Sequence, residues 1–344
     1  MNYYILSSLN GGGAEIAGLK LLKKNLGKVE FKLVVLAFGD GRAEPFLEGL
    51  PYVDLRKKSL WLKLAILWSL VKEYEQTNVI TSLPTATVLI SFLRLFLSFK
   101  HIAWQHNAHL SSRVKTLYVF CRFFVDSWIA DSKSVSEFIE ENQLYFGRKN
   151  VYHLNLFSSC SKNLPNYPDR KRSDTLKVVS IGRLEEQKNY RVLVDLAQQL
   201  KNENIKFFIY GEGKLREIIQ KEIDRLHLSR CIELCGFTDN VAAVLHDSDI
   251  YIQCSLHEGL CIASLEAMEL ALPVIATPVG ELRYNVIPEY NGFLCKDVSE
   301  FEKVLRRLMK DRGKLHVLGL SAQEFIKENY SASKQSEQLE KILL

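Results

Sequence analysis

Short apolar runs alternate along the chain with longer stretches in which apolar residues recur at helical spacing. The runs at 2–8, 31–37, 78–82, 101–105 and 127–130, and then at 176–181, 205–210, 231–234, 249–253 and 273–276, predict strands. Residues 13–26, 86–99, 132–142, 189–202, 213–226, 239–247, 262–271 and 298–310 predict helices between them. Strand–helix–strand alternation of this kind predicts an α/β fold with parallel sheets and crossover helices. The alternation lapses once, at 158–174, a polar stretch with Pro165, Pro168 and the basic run Arg170-Lys171-Arg172. The expected organisation is a first domain over 1–160, a linker over 161–175 and a second domain over 176–325. A terminal helix over 326–344 is expected to pack back on the first domain.

Composition narrows the class. With 344 residues, 47% of them hydrophobic and 25% charged, each domain has enough apolar material for a core of its own. Residues 1–173 hold 23 Lys and Arg against 14 Asp and Glu, and the remainder 22 against 26. One basic half beside a slightly acidic one argues against a nucleic-acid coat and predicts that the first half meets an anionic partner, a phosphate or a membrane surface. The seven cysteines form no C-x-x-C pair and are read as free thiols of a reducing compartment. The opening residues show no basic leader and no small-residue cleavage site, and the expected location is cytoplasmic.

Candidate chemistry lies where strands end. Asn10-Gly11-Gly12-Gly13-Ala14-Glu15 follows the first strand and opens a helix, where backbone N–H groups approach an anion. It is neither a dinucleotide fingerprint, since Ile16 stands where the third glycine would be, nor a P-loop. Gly182-Arg183-Leu184-Glu185-Glu186-Gln187-Lys188-Asn189 follows the first strand of the second half, and its two cations suit a diphosphate. Tyr210-Gly211-Glu212-Gly213 is a turn at which glycine lets a ligand approach the backbone. The segment Glu258-Gly259-Leu260-Cys261-Ile262, followed by Glu266, pairs a loop carboxylate with one inside a helix. Two such carboxylates suit two sets of hydroxyls, one of them a ribose diol, while the N–H groups of residues 260–263 face phosphate.

The order of Gly-Gly-Ala-Glu, Gly-Arg-Leu-x-x-Gln-Lys-Asn, Gly-Glu-Gly-x-Leu, Cys-Gly-Phe, Glu-Gly-Leu-x7-Glu-Ala-Met, Leu-Pro-Val-Ile-Ala-Thr and Asn-Gly-Phe-Leu resembles the family-4 retaining glycosyltransferases over nearly the whole chain. The resemblance implies the GT-B fold, two Rossmann-like domains with parallel sheets facing an interdomain cleft, and a metal-independent enzyme. It implies that Arg183 and Lys188 grip the donor diphosphate, that Glu266 binds the ribose, and that Glu258 binds the donor sugar near the anomeric carbon. Gly12 and Gly13 would approach the diphosphate, and His106 in Trp104-Gln105-His106-Asn107 would contact the donor sugar. Gly211, Leu260, Cys261 and Ile262 complete the expected nucleotide-sugar site. Asp131 and Asn155 fit the pattern in structural roles. Two departures stand out: Cys261 and Ala271 occupy positions where the family often has glycine, and a Cys261 side chain beside the donor would narrow the sugar pocket.

The expected reaction is transfer of a sugar from a nucleotide-sugar, UDP-linked by resemblance, to an acceptor hydroxyl. The alternatives are a sugar-nucleotide epimerase of similar fold and a non-catalytic nucleotide-binding subunit. Residues 56–72, 85–100 and 117–125 are apolar and aromatic stretches mixed with Arg and Lys, and Pro84 and Arg94 interrupt the longest apolar run. They are read either as core helices or as surfaces lying on an anionic leaflet. The second reading predicts a peripheral enzyme of the cytoplasmic face with a saccharide acceptor carried on a lipid.

Overall fold

The computed structural model describes residues 2–10, 13–25, 30–73, 77–147, 150–159 and 174–343. Its chain divides into two compact units, Met1–Phe157 with Gln335–Leu344, and Ser158–Lys334. Most of the expected linker lies outside the described residues.

Unit 1 runs β1 (Asn2–Leu6), α1 (Gly13–Lys24), β2 (Phe31–Val35), β3 (Tyr52–Asp54), α2 (Leu60–Lys72), β4 (Asn78–Ser82), α3 (Pro84–Leu93), β5 (Lys100–Gln105), α4 (Ser112–Cys121), β6 (Ser127–Ala130), α5 (Lys133–Glu141) and β7 (Val151–His153). Unit 2 runs β8 (Leu176–Ile181), α6 (Arg191–Gln199), β9 (Ile205–Tyr210), α7 (Arg216–Arg225), β10 (Ile232–Gly236), α8 (Val241–His246), β11 (Ile250–Gln253), α9 (Ile262–Glu269), β12 (Val274–Ala276), α10 (Leu282–Asn285), β13 (Gly292–Leu294), α11 (Val298–Lys310) and α12 (Arg312–Asn329). The last helix, α13 (Ala332–Leu343), joins unit 1 from Gln335 onward.

Each unit is one parallel sheet, ordered β3-β2-β1-β4-β5-β6-β7 in unit 1 and β10-β9-β8-β11-β12-β13 in unit 2. The strands are short and apolar because helices cover both faces of a parallel sheet. Tyr3, Ile5, Val34 and Val79 pack under α2 and α3 through Leu67, Val71, Ala86 and Ile90. In unit 2, Val178, Phe207, Ile209 and Ile252 pack with α6 and α11 through Leu193, Val194, Phe301 and Leu305. In both sheets the strand order reverses at the centre, between β1 and β4 and between β8 and β11. The crossovers on either side diverge there and leave the carboxyl ends of the central strands open to a ligand.

Three strands escaped the hydrophobic pattern. β3, β7 and β13 have three residues each and lie at sheet edges. Too short to show a period of two, the first two are also partly exposed. The helix expected over 86–99 stops at Leu93, and the apolar run continues through turns in which Phe96 N–H donates to the Leu93 carbonyl. The apolar run beyond Leu93 is divided: Leu95 and Phe96 are exposed, while Phe99 is buried in the core with Ile90 and Leu93.

Asn155, which follows β7, clips the terminal helix to unit 1. Its N–H donates to Gln338 Oε1 at 3.0 Å, and its carbonyl accepts from Gln335 Nε2 at 2.7 Å.

Helix α9 ends in a left-handed residue, Ala271, at φ 56°. Ala271 N–H donates to the Met268 carbonyl and Leu272 N–H to the Ala267 carbonyl, the paired bonds of a Schellman motif. Glycine is favoured at that position because a Cβ in the left-handed region costs about 1–2 kcal/mol. Ala271→Gly is therefore expected to leave Tm unchanged or raise it. Ala267→Gly, inside the same helix, lowers stability by about 1 kcal/mol or more. Thermal unfolding of the two variants checks this, and equal losses would refute it.

Candidate functional site

The charged residues of unit 2 converge where its sheet reverses. The loop after β8 carries Arg183 and Lys188, and the loop after β11 carries Glu258. Backbone contacts tie the two loops. Leu256 N–H donates to the Gln187 carbonyl at 2.8 Å, and Gln187 Nε2 donates to the His257 carbonyl at 2.8 Å. Across that join Lys188 Nζ stands 2.7 Å from Glu258 Oε1, with side-chain exposures of 17% and 7%. Burial, the largest single influence, works against the Lys188 ammonium, but Glu258, Cys261 and Tyr190 together carry its pKa above the ordinary lysine value. The pair is a half-buried cation and a buried anion at the carboxyl ends of two central strands.

Glu258 is held from behind by a polar stripe on β11 and the residues after it. Tyr251 OH donates to Gln253 Oε1, Gln253 Nε2 to Ser255 Oγ, and Ser255 Oγ to Glu258 Oε1, each at 2.6 Å. All four residues are buried. The Tyr251 phenol lies well above its usual range, first through burial and then through the acidic groups around it, Cys261, Tyr190, Glu258 and Glu266, whose ionised forms would repel a phenolate. These partners went unnoticed in the sequence. Their signal was polar residues at 251, 253 and 255 within an otherwise apolar strand, a period of two that places all three on one face.

Cys261 caps the N-terminus of α9 in the left-handed region, at φ 54°, and its side chain makes no capping hydrogen bond. The family's usual glycine at this position and at Ala271 has one backbone cause, a positive φ at each. Burial, then the nearby Glu258 carboxylate, push the Cys261 thiol up to about 11, so it stays protonated and is no nucleophile at neutral pH. With no side-chain acceptor at the cap, the N–H groups of Ile262 and Ala263 are left for an anion, while that of Ser264 donates to the Cys261 carbonyl at 3.0 Å. Leu260 is buried beside Cys261, Ile262 is half-buried, and Glu266 is half-buried a turn into the helix.

Gly211 belongs to the same rim, for a reason the sequence reading did not supply. Its φ is +144°, and a Cβ there would stand 1.9 Å from the Gly182 carbonyl oxygen. The close approach that demands glycine is made by the protein's own β8 loop. Arg183 differs from Lys188: its side chain is 48% exposed, with Glu185 at 3.5 Å.

In unit 1 the reversal point between β1 and β4 is polar but mostly neutral. Ser7, just after β1, donates through Oγ to the Ser82 carbonyl at 3.0 Å and accepts from Ala86 N–H at 2.9 Å. His106, just after β5, has Nε2 2.7 Å from Ser82 Oγ and Nδ1 3.2 Å from Asp131 Oδ2. A carboxylate on Nδ1 favours the tautomer with hydrogen there. His101, by contrast, is a core residue, between Thr81 Oγ1 at 3.0 Å and the Phe124 carbonyl at 2.9 Å, and burial pushes its pKa down to about 4. Gly13 begins α1, and Gly12 lies outside the described residues. The residues expected to form one site therefore fall into two groups, Lys188, Glu258, Cys261 and their neighbours in unit 2, and His106 and Gly13 in unit 1.

Comparison with known proteins bears on the fold and on the second unit. Residues 168–325 match the model of the family described as glycosyl transferases group 1. The chain is 27% identical over 278 residues to the uncharacterized glycosyltransferase MJ1059 of Methanocaldococcus jannaschii, covering 73% of this chain and 65% of that protein. It is 29% identical over 139 residues to the UDP-Gal:alpha-D-GlcNAc-diphosphoundecaprenol alpha-1,3-galactosyltransferase of Escherichia coli, covering 38% of this chain and 36% of that one. The alignments thus span less than two thirds of either relative's length. Among solved structures, HepE of Anabaena in complex with UDP and glucose superposes with a TM-score of 0.88 at 18% identity, over 100% of this chain and 99% of that one. The fold is the GT-B fold, two Rossmann-like units, and residues 168–325 are similar to the family described as glycosyl transferases group 1.

Proposed function

We propose that the chain is a retaining glycosyltransferase that moves a sugar from a UDP-sugar to a hydroxyl of a lipid-linked saccharide. The observation that carries the donor half of this reading is the Lys188–Glu258 pair beside the uncapped start of α9. A diphosphate there meets a charged lysine and a helix N-terminus, which stabilise the charge that develops as it leaves. Arg183, exposed on the same loop, adds a second cation. Glu258 offers its carboxylate to the donor sugar and Glu266 to the ribose. The acceptor hydroxyl attacks on the face the diphosphate leaves, and a leaving-phosphate oxygen takes its proton. The chemistry uses no metal, because lysine and helix supply the positive charge. UDP-bound HepE and the UDP-galactose-dependent relative support the choice of nucleotide.

The acceptor half rests on unit 1. Helix α2 buries Leu67 and Val71 but leaves Trp61 81% exposed. Phe96, 60% exposed, lies 6.1 Å from Trp68 and 5.6 Å from Phe92, ring to ring, so the aromatics form a connected patch. Leu117 and Phe120 of α4 are exposed as well, and Lys57 and Lys58 flank α2. No described helix is long and apolar enough to cross a membrane. Aromatics at the acyl boundary and lysines at anionic headgroups describe a protein lying on a bilayer. A relative named for a diphosphoundecaprenol acceptor supports the same reading.

Two measurements test these halves. With UDP-sugars and a lipid-linked acceptor, the wild type is expected to release UDP with a glycosylated product, undiminished in EDTA. Glu266→Ala and Lys188→Ala each lower kcat/KM at least about tenfold, the loss of a hydrogen bond to a charged group. Sugar inversion without UDP release would point to an epimerase instead, and binding without turnover to a non-catalytic subunit. In vesicle sedimentation, binding requires anionic lipid, falls with added salt, and weakens when Lys57, Lys58 and Lys63 are changed to Glu. Equal recovery in the supernatant with and without anionic vesicles would remove the membrane half of the proposal.

A further inference from the structure

We infer that the buried chain Tyr251–Gln253–Ser255 is the positioning device of Glu258, holding one carboxylate oxygen so that the other is presented to the donor sugar. The inference rests on the reading of Glu258 as the group that meets that sugar. Its basis is the direction of the hydrogen bonds. Gln253 Nε2 can only donate, so Ser255 Oγ accepts from it at 2.6 Å and has its own hydrogen left for Glu258 Oε1, also at 2.6 Å. At the far end Tyr251 gives its hydrogen to Gln253 Oε1 at 2.6 Å. Reversing the amide of Gln253 would turn Ser255 toward Gln253 Oε1 and set two lone pairs against each other at Glu258. The chain therefore runs one way only while Glu258 is ionised. Thr277 Oγ1, donating to the Ser255 carbonyl at 2.6 Å, fixes the backbone from which the serine reaches.

Both donors to Glu258 sit on Oε1, Ser255 and Lys188. Among the described residues no hydrogen bond to Oε2 is found. The two donors differ in kind. Lys188 ends a flexible side chain on the partly open side, the one assigned to the diphosphate. Ser255 is buried on a strand extension with no rotamer freedom to spare. When a diphosphate draws Lys188 toward itself, Ser255 keeps Oε1 engaged and the plane of the carboxylate unchanged. Orientation supplied this way is ready before the donor arrives.

The test separates positioning from folding. Ser255→Ala is expected to lower kcat about tenfold or more, since it removes one buried hydrogen bond to a charged group. Its Kd for UDP, which has no sugar for Glu258 to touch, stays within about twofold of wild type. Ser255→Thr keeps the hydroxyl and restores most of the lost kcat, and Tyr251→Phe, which cuts only the far end, lowers kcat less than Ser255→Ala. Wild-type kcat in Ser255→Ala would overturn the inference. So would parallel loss of UDP binding and turnover, which marks a merely structural residue, or failure of threonine to rescue. A wild type that transfers no sugar from any nucleotide-sugar is a different failure, and it removes the parent reading as well.

Discussion

A half-buried lysine and a buried glutamate 2.7 Å apart join the loops at the centre of unit 2. Taking both charges from water costs more than their attraction returns unless further hydrogen bonds satisfy them, so such a pair is a poor way to stabilise a fold. Here the satisfaction is elaborate, with a serine, a glutamine and a tyrosine lined up behind the carboxylate. The loops it joins follow the two central strands, where a parallel sheet must open because its crossovers diverge. Topology makes the opening, and the ion pair gives the opening its charge.

The rest of the rim follows from that geometry. Gly211 and Gly280 are glycines because neighbouring loops press on them: a Cβ would stand 1.9 Å from the Gly182 carbonyl oxygen in one case and 2.4 Å from the Glu258 carbonyl oxygen in the other. At Cys261 and Ala271 the left-handed backbone is kept without glycine. At Cys261 the consequence is a small, protonated, buried thiol where the helix meets the site. That side chain adds volume beside Glu258 without adding a charge.

Unit 1 solves the same topology with different chemistry. Its reversal point holds serines and a histidine–carboxylate pair rather than a lysine–glutamate pair. Serine hydroxyls and the Asp131 carboxylate suit hydroxyl groups more than phosphates. On its helical face the apolar surface exceeds what the core can cover, because α2, α3 and α4 each bury one side and expose aromatic residues on another. Exposed patches of this kind mark interaction surfaces in soluble proteins.

The sequence by itself determined the class of fold and the rank of its motifs. Strands and helices of distinct period alternate twice over, so two parallel α/β units were legible, and Lys188 and Glu258 stood out as charges in strand-end loops. Edge strands β3, β7 and β13 were not, since three residues display no period. Nor could local pattern separate the two faces of residues 60–96, because burial depends on which neighbours arrive from distant sequence. Only the tertiary structure decided that Gly211 serves a backbone contact, that glycine's absence at 261 and 271 leaves residues in the left-handed region, and that Lys188 and Ser255 share one oxygen of Glu258. Hydrogen-bond direction, likewise, is a property of assembled side chains: Tyr251, Gln253 and Ser255 are ordinary strand residues until the sheet buries them on one face with Glu258 at the end.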